Sequence, residues 1–146
     1  RRQRQMCIRD SSLFRPPPPS RRRAKVYVYN GRYDACHRSA YRRACTIYGQ
    51  ALVDAVMRRR PELEYVLSGD GPLVPYAEMP AVYSECCIAL RLTRHDGTAN
   101  MVQELEAMGI PVVHNQSHYG LKWRSLADIL HHIDSAVARS DVHPRG

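Results

Sequence analysis

Residues 86–92, CCIALRL, form a nearly continuous apolar run between a glutamate and the polar loop Thr-Arg-His-Asp-Gly-Thr. A strand with one wet face alternates apolar and polar residues, whereas so uniform a run belongs to a parallel strand covered on both faces. Parallel neighbours cannot be joined by a hairpin; they need long crossovers, usually helical. The run therefore predicts an α/β chain, and the flanking sequence must supply the helices.

It does so in alternation. Residues 25–29, KVYVY, are β-branched and aromatic and end at the turn pair Asn30-Gly31, which predicts a first strand. Residues 32–46 hold Arg38, Arg42 and Arg43 among small residues without a clear period, and read as a loop with at most a helical turn. Residues 48–60 read as an amphipathic helix, with Leu52, Val53, Val56 and Met57 on one face and Asp54 and Arg58 on the wet side. Arg58, Arg59 and Arg60 followed by Pro61 suit its C-terminal end, where cations are favoured and proline stops the helix.

A second strand is expected at residues 65–68, closed by the turn Gly69-Asp70-Gly71-Pro72, then a short helix over 79–85 before the apolar run. Residues 110–113 repeat the buried-strand pattern after Gly109. The last helix is announced by Ser125 with Asp128 three residues on, a capping-box-like start, and by the stripe Leu126, Ile129, Leu130, Ile133 and Val137. This order predicts a Rossmann-like parallel sheet with flanking helices over residues 25–140.

Charge separates the domain from what precedes it. Nine of the 22 Lys/Arg but only one of the 14 acids lie in residues 1–25, leaving a neutral body. That first stretch combines arginine clusters with four consecutive prolines from Pro16 to Pro19 and predicts a disordered arm over 1–24, with a disordered tail over 141–146. Clustered arginines can neutralise phosphates, so the arm supports an alternative function, a non-enzymatic nucleic-acid or anion-binding module. Residues 1–11 also resemble translated sequencing-adapter read-through, a reading in which the arm has no function. The lack of a long apolar window predicts no transmembrane segment and a cytoplasmic protein.

The five cysteines include no Cys-x-x-Cys pair, and adjacent His131 and His132 point in different directions on a helix. No metal is expected. No Gly-x-Gly-x-x-Gly follows the first strand, which disfavours a dinucleotide-dependent oxidoreductase.

In open parallel sheets ligands bind beyond the C-terminal ends of the strands. That rule selects Gly31, residues 69–72, residues 93–98 and residues 114–117. The third group is the richest chemically. Thr98 is placed to cap a helix, and the backbone amides of Gly97, Thr98, Ala99 and Asn100 would then face an anion at its positive end. Arg94 can add a charge-assisted bond, while Arg91, alternating with strand residues, serves either the anion or a pair inside the fold. Helical geometry buries Met101, Val102, Leu105 and Met108, sets Asn100 and Glu104 on one flank and Glu106 on the other. Glu104 is then either a carboxylate reaching towards the ligand or a solvated helix acid.

Asp96, seven residues, Glu104 and then Gly109-Ile110-Pro111-Val112-Val113 resemble the donor-binding motif of the large retaining family 4 glycosyltransferases, enzymes of the B-type fold with two Rossmann-like domains. The segments YVYNGR at 27–32, LSGDGP at 67–72 and PAVYSECCIAL at 80–90 are similar to the first strand, second strand and pre-motif helix of that family's C-terminal half. The resemblance extends over residues 26–137 and implies a nucleotide-diphosphate sugar as donor substrate, retention of configuration and no cofactor.

By that resemblance Asp96 contacts donor-sugar hydroxyls, Glu104 the nucleotide ribose, the amides of Gly97 to Asn100 the diphosphate, and Gly31 and Arg32 a phosphate. The chain departs from the family in three places. The usual lysine shortly after Gly-Arg is missing, with only Arg38, Arg42 and Arg43 farther on; Asp96 stands where Glu is usual; and His114-Asn115-Gln116-Ser117 replaces a Gly-rich loop. The family also implies an N-terminal acceptor domain as partner, for which these residues offer no counterpart.

Overall fold

The computed structural model describes residues 13–17, 24–31, 37–94 and 99–141. Within them lies a sheet of four parallel strands, β1 (Lys25–Val28), β2 (Glu64–Leu67), β3 (Cys86–Leu90) and β4 (Val112–Val113), in the order β2-β1-β3-β4. The helices are α1 (Arg38–Tyr48), α2 (Gln50–Arg59), α3 (Met79–Ser84, entered through a 3-10 turn at Tyr76–Glu78), α4 (Asn100–Ala107) and α5 (Leu126–Asp141). The Rossmann-like α/β class expected from the apolar runs is what the chain adopts. No helix among the described residues is long and apolar enough to cross a membrane.

Every residue of β3 is buried, because both faces of the sheet are covered. On one face Val26, Val28, Ile88 and Leu90 meet Val53 and Val56 of α2 and Ile129, Leu130 and Ile133 of α5. On the other, Tyr27, Cys86 and Ala89 meet Tyr83 of α3 and Met101, Val102, Leu105 and Met108 of α4. A register shift between β1 and β3 beside Lys25 and Val26 lets neighbouring Cys87 and Ile88 share the first face. The α5 stripe and capping box also form as the spacing requires: the Asp128 N–H donates to Ser125 Oγ at 3.3 Å and the Ser125 N–H to Asp128 Oδ2 at 3.3 Å.

Three expectations need correction. Residues 38–48 form an eleven-residue helix rather than a loop. Its only buried side chain is Ala44, and Tyr41 and Ile47 stay exposed, so it lacks the apolar stripe that makes a helix visible in sequence. The helix expected from residue 48 is instead two: Gly49, at φ 66°, ends α1 and precedes α2. The strand expected over 110–113 is confined to Val112–Val113, since the Ile110 N–H donates to the Leu105 carbonyl at 2.9 Å and finishes the turn of α4.

Phe14 also contributes to the domain from within the stretch read as a disordered arm. It is 1% exposed, with its ring centroid 5.5 Å from Tyr76 and 6.1 Å from Tyr83. An isolated phenylalanine in an Arg/Pro-rich stretch shows no period, yet burying one aromatic ring removes a large apolar area from water.

Candidate functional site

Strand β1 has β2 on one side and β3 on the other, so the chain reverses its direction of travel across the sheet at β1. The C-terminal ends of β1 and β3 meet at this switch point, the position beyond which open parallel sheets bind ligands. Its β1 side is Tyr29, Asn30 and Gly31; its β3 side is Arg91, Leu92, Thr93 and Arg94.

The β1 turn is held from below. Asn30 is 3% exposed; its Oδ1 accepts the Gly69 N–H at 2.8 Å, and its own N–H donates to Ser68 Oγ at 3.1 Å. The turns after β1 and β2, selected separately from sequence, thus form one clasp. Gly69 is required there by contact, because a Cβ would stand 1.8 Å from the Gly31 carbonyl oxygen. Gly31 itself has φ 63°, and a Cβ on it would meet the Tyr48 ring at 2.3–2.7 Å. Tyr48 therefore lies over the turn, edge-on to Tyr29 at 5.6 Å between centroids.

The Arg91 guanidinium bridges the two sides, 3.9 Å above the centroid of the Tyr29 ring, with Nη1 3.6 Å from Met101 Sδ. Stacking on an aromatic face holds a guanidinium while leaving its edge N–H groups to donate to further acceptors. Of the two roles open to Arg91, the contacts seen are with the fold itself, the Tyr29 ring and Met101. The loop 114–117 reaches the same edge: buried His114 has Nδ1 3.3 Å from the Arg91 carbonyl, and the Lys122 ammonium donates to the carbonyls of His114, Ser117 and Tyr119.

Helix α4 starts at Asn100 with Ala99 as its extended N-cap and no side-chain cap bond, which moves the cap one residue beyond the expected Thr98. Asn100 and Arg94 are exposed, while Ala99 is buried. Glu104 is 8% exposed, so it is not a solvated helix acid; its charge lies close enough to Tyr83 to help raise that phenol. Burial is the main cause for Tyr83, and it also pushes Tyr27 up to about 12, so both phenols remain neutral hydrogen-bonding groups at physiological pH. Glu106, on the opposite flank, is exposed and accepts the Gly120 N–H at 3.0 Å. Asp96, Gly97, Thr98 and Arg32 lie outside the described residues.

Sequence reasoning missed a buried polar residue on the face of the sheet opposite α4. Gln50, the first residue of α2, is 4% exposed; its Nε2 donates to Asp54 Oδ1 at 2.9 Å, and its buried Oε1 has no hydrogen-bond donor among the described residues. The signal was a polar residue three positions before Val53 and six before Val56, hidden by starting the helix at Tyr48.

At the other end of the sheet a groove of about 840 Å³ runs between β4 and the last turns of α4 and α5, lined by residues such as Gly109, Pro111, Leu121 and Ala136. It is predominantly apolar and remote from the switch point. Among the described residues no three His, Cys, Asp or Glu side chains group to hold a metal ion. No protein-family model, curated protein or solved structure matches the chain.

Proposed function

We propose that this domain holds the donor of a retaining glycosyltransferase, with a nucleotide-diphosphate sugar lying across the β1–β3 switch point. The observation that carries the proposal is the convergence at one switch point of Gly31 after β1, Arg91 and Arg94 after β3, and the start of α4 with Glu104 one turn inside it. Helix-start amides and guanidinium groups suit a diphosphate whose charge increases as the glycosidic bond breaks. Asp96 is assigned to the sugar hydroxyls and Glu104 to the ribose. Gly31, Arg32, Arg94 and the amides from Gly97 to Asn100 are assigned to the phosphates.

The acceptor in this reading comes from a second Rossmann-like domain closing over this edge of the sheet, since transfer requires both substrates to be held in one geometry. Calorimetric titration with UDP-glucose, GDP-mannose and ADP-glucose tests the donor half alone. Wild type is expected to bind one of them, and Asp96→Ala and Glu104→Gln to bind it about 10-fold or more weakly, as for hydrogen bonds to a charged group. Thermal melts distinguish loss of a contact from loss of the fold at buried Glu104. Undiminished affinity in both variants removes the site assignment.

A further inference from the structure

Helix α2 begins without a side-chain cap: its N-cap is Gly49, and its first turn holds no acid. Because it leads into β2, which is parallel to β1, it runs back along the sheet and starts at the C-terminal ends of the strands. Gly49 locates that start, since a Cβ there would lie 2.8 Å from the carbonyl oxygen of Leu92, just past β3. Gln50 shares the buried side of α2 with Val53 and Val56, and it follows Tyr48, which covers Gly31. Gln50 therefore lies buried beneath the C-terminal edge of the sheet, close to the turn after β1 and the residues just past β3.

Its amide has a defined sense. Nε2 faces one oxygen of Asp54 at 2.9 Å, while the Tyr41 hydroxyl donates to the other at 2.6 Å. Reversing the amide would set its oxygen against the carboxylate, so the donor side stays with Asp54 and Oε1 turns away from it. There Oε1 is buried and meets no donor among the described residues, an arrangement that is destabilising unless a partner is supplied.

We propose that Gln50 Oε1 reads a hydroxyl of the bound ligand, accepting its hydrogen bond while the uncapped start of α2 favours the neighbouring negative charge. The ligand class is a phosphate ester flanked by ring hydroxyls, the hydroxyl coming from the ribose or from the transferred sugar. This rests on the donor-domain reading and names the residue that separates hydroxylated from deoxygenated donors. Because Oε1 is buried in the structure, this contact requires its cover to move when the ligand binds.

The test compares wild type with Gln50→Met, which keeps the length of the side chain and removes the acceptor. The probes are UDP-glucose, GDP-mannose and ADP-glucose; the one that binds is then compared with its 2′- and 3′-deoxyribose analogues and with its deoxyhexose analogues. Wild type should prefer the hydroxylated ligand over one analogue by about 3- to 10-fold, and Gln50→Met should abolish that preference. A preference lost in the ribose series identifies a ribose hydroxyl; one lost in the hexose series identifies the sugar. Equal weakening towards hydroxylated and deoxygenated ligands, or an unchanged preference, overturns the assignment and leaves the donor reading intact. Failure of wild type to bind any probe removes the donor reading itself, and this assignment with it, before any variant is compared.

Discussion

Helices α2 and α5 pack side by side on the same face of the sheet and start at the same edge, yet their first turns are built differently. Ser125 and Asp128 satisfy one another's backbone at the start of α5 and place an acid where the helix dipole favours it. At the start of α2 there is a glycine, no first-turn acid, and a buried glutamine oxygen without a donor among the described residues. Such an acceptor costs about 1–3 kcal/mol, whereas an N-cap contributes about 1 kcal/mol. The fold thus has the means to close a helix start and uses them at α5. Helices α1 and α4 likewise start without a side-chain cap or a first-turn acid, so what sets α2 apart is the buried Gln50 oxygen, which the donor-domain proposal assigns to a ligand hydroxyl.

The strongest way to break this comparison is to give α2 the cap it lacks. Gly49→Ser supplies the hydroxyl but must adopt φ 66° with its Cβ 2.8 Å from the Leu92 carbonyl oxygen. A left-handed backbone costs a side-chain-bearing residue roughly 1–2 kcal/mol, and the contact adds to it, whereas serine over glycine at an N-cap gains only about a few tenths. Urea unfolding should therefore show a less stable variant. A variant as stable as wild type would mean that α2 is uncapped for no steric reason, and the contrast with α5 would lose its structural basis.

The same glycine explains what could be read in advance and what could not. Strand β3, the buried side of α4 and the α5 stripe were legible because apolar spacing and burial coincide at Ile88, Leu105, Ile133 and their neighbours. Helix α1 was not, because its apolar Tyr41 and Ile47 remain exposed and only Ala44 packs. The joint at Gly49 depends on a close approach to Leu92 that no local pattern encodes. Glu104 was placed on the border of α4 by periodicity, but its burial depends on tertiary packing that brings Tyr83, on another helix, into its neighbourhood. The carbonyl and amide contacts among Gly31, Asn30, Ser68 and Gly69 united two turns that sequence could only select singly.

An intermediate effect is expected at α5. Ser125→Ala removes the acceptor of the Asp128 N–H and should lower stability by about 1 kcal/mol, within the range for N-cap replacements. Nucleotide-sugar affinity should not change, because that helix start is closed by its own side chains. A variant that retained full stability would show that the capping box contributes little, and a variant with altered affinity would bring α5 into the binding site.

The smallest effect concerns the place where the two helices are joined. Arg60, at the C-terminal end of α2, makes two bonds to Asp134 of α5, Nε to Oδ1 at 2.8 Å and Nη2 to Oδ2 at 2.7 Å. Hydrogen bonding to this guanidinium holds the Asp134 carboxyl below its ordinary value of 3.8. The folded-state value is depressed, so the pair's contribution is present above the unfolded carboxyl's titration range and disappears as pH falls through the folded value. Replacing the guanidinium by Arg60→Gln should consequently flatten the acid side of the stability profile below about pH 4, with little change in slope near neutrality. Solvent screening keeps the difference small, since half of the Asp134 side chain is exposed. If wild type and Arg60→Gln show parallel acid profiles, the C-terminal end of α2 and the middle of α5 are not electrostatically coupled, and packing along Val53, Val56, Ile129 and Ile133 must hold the two helices in register.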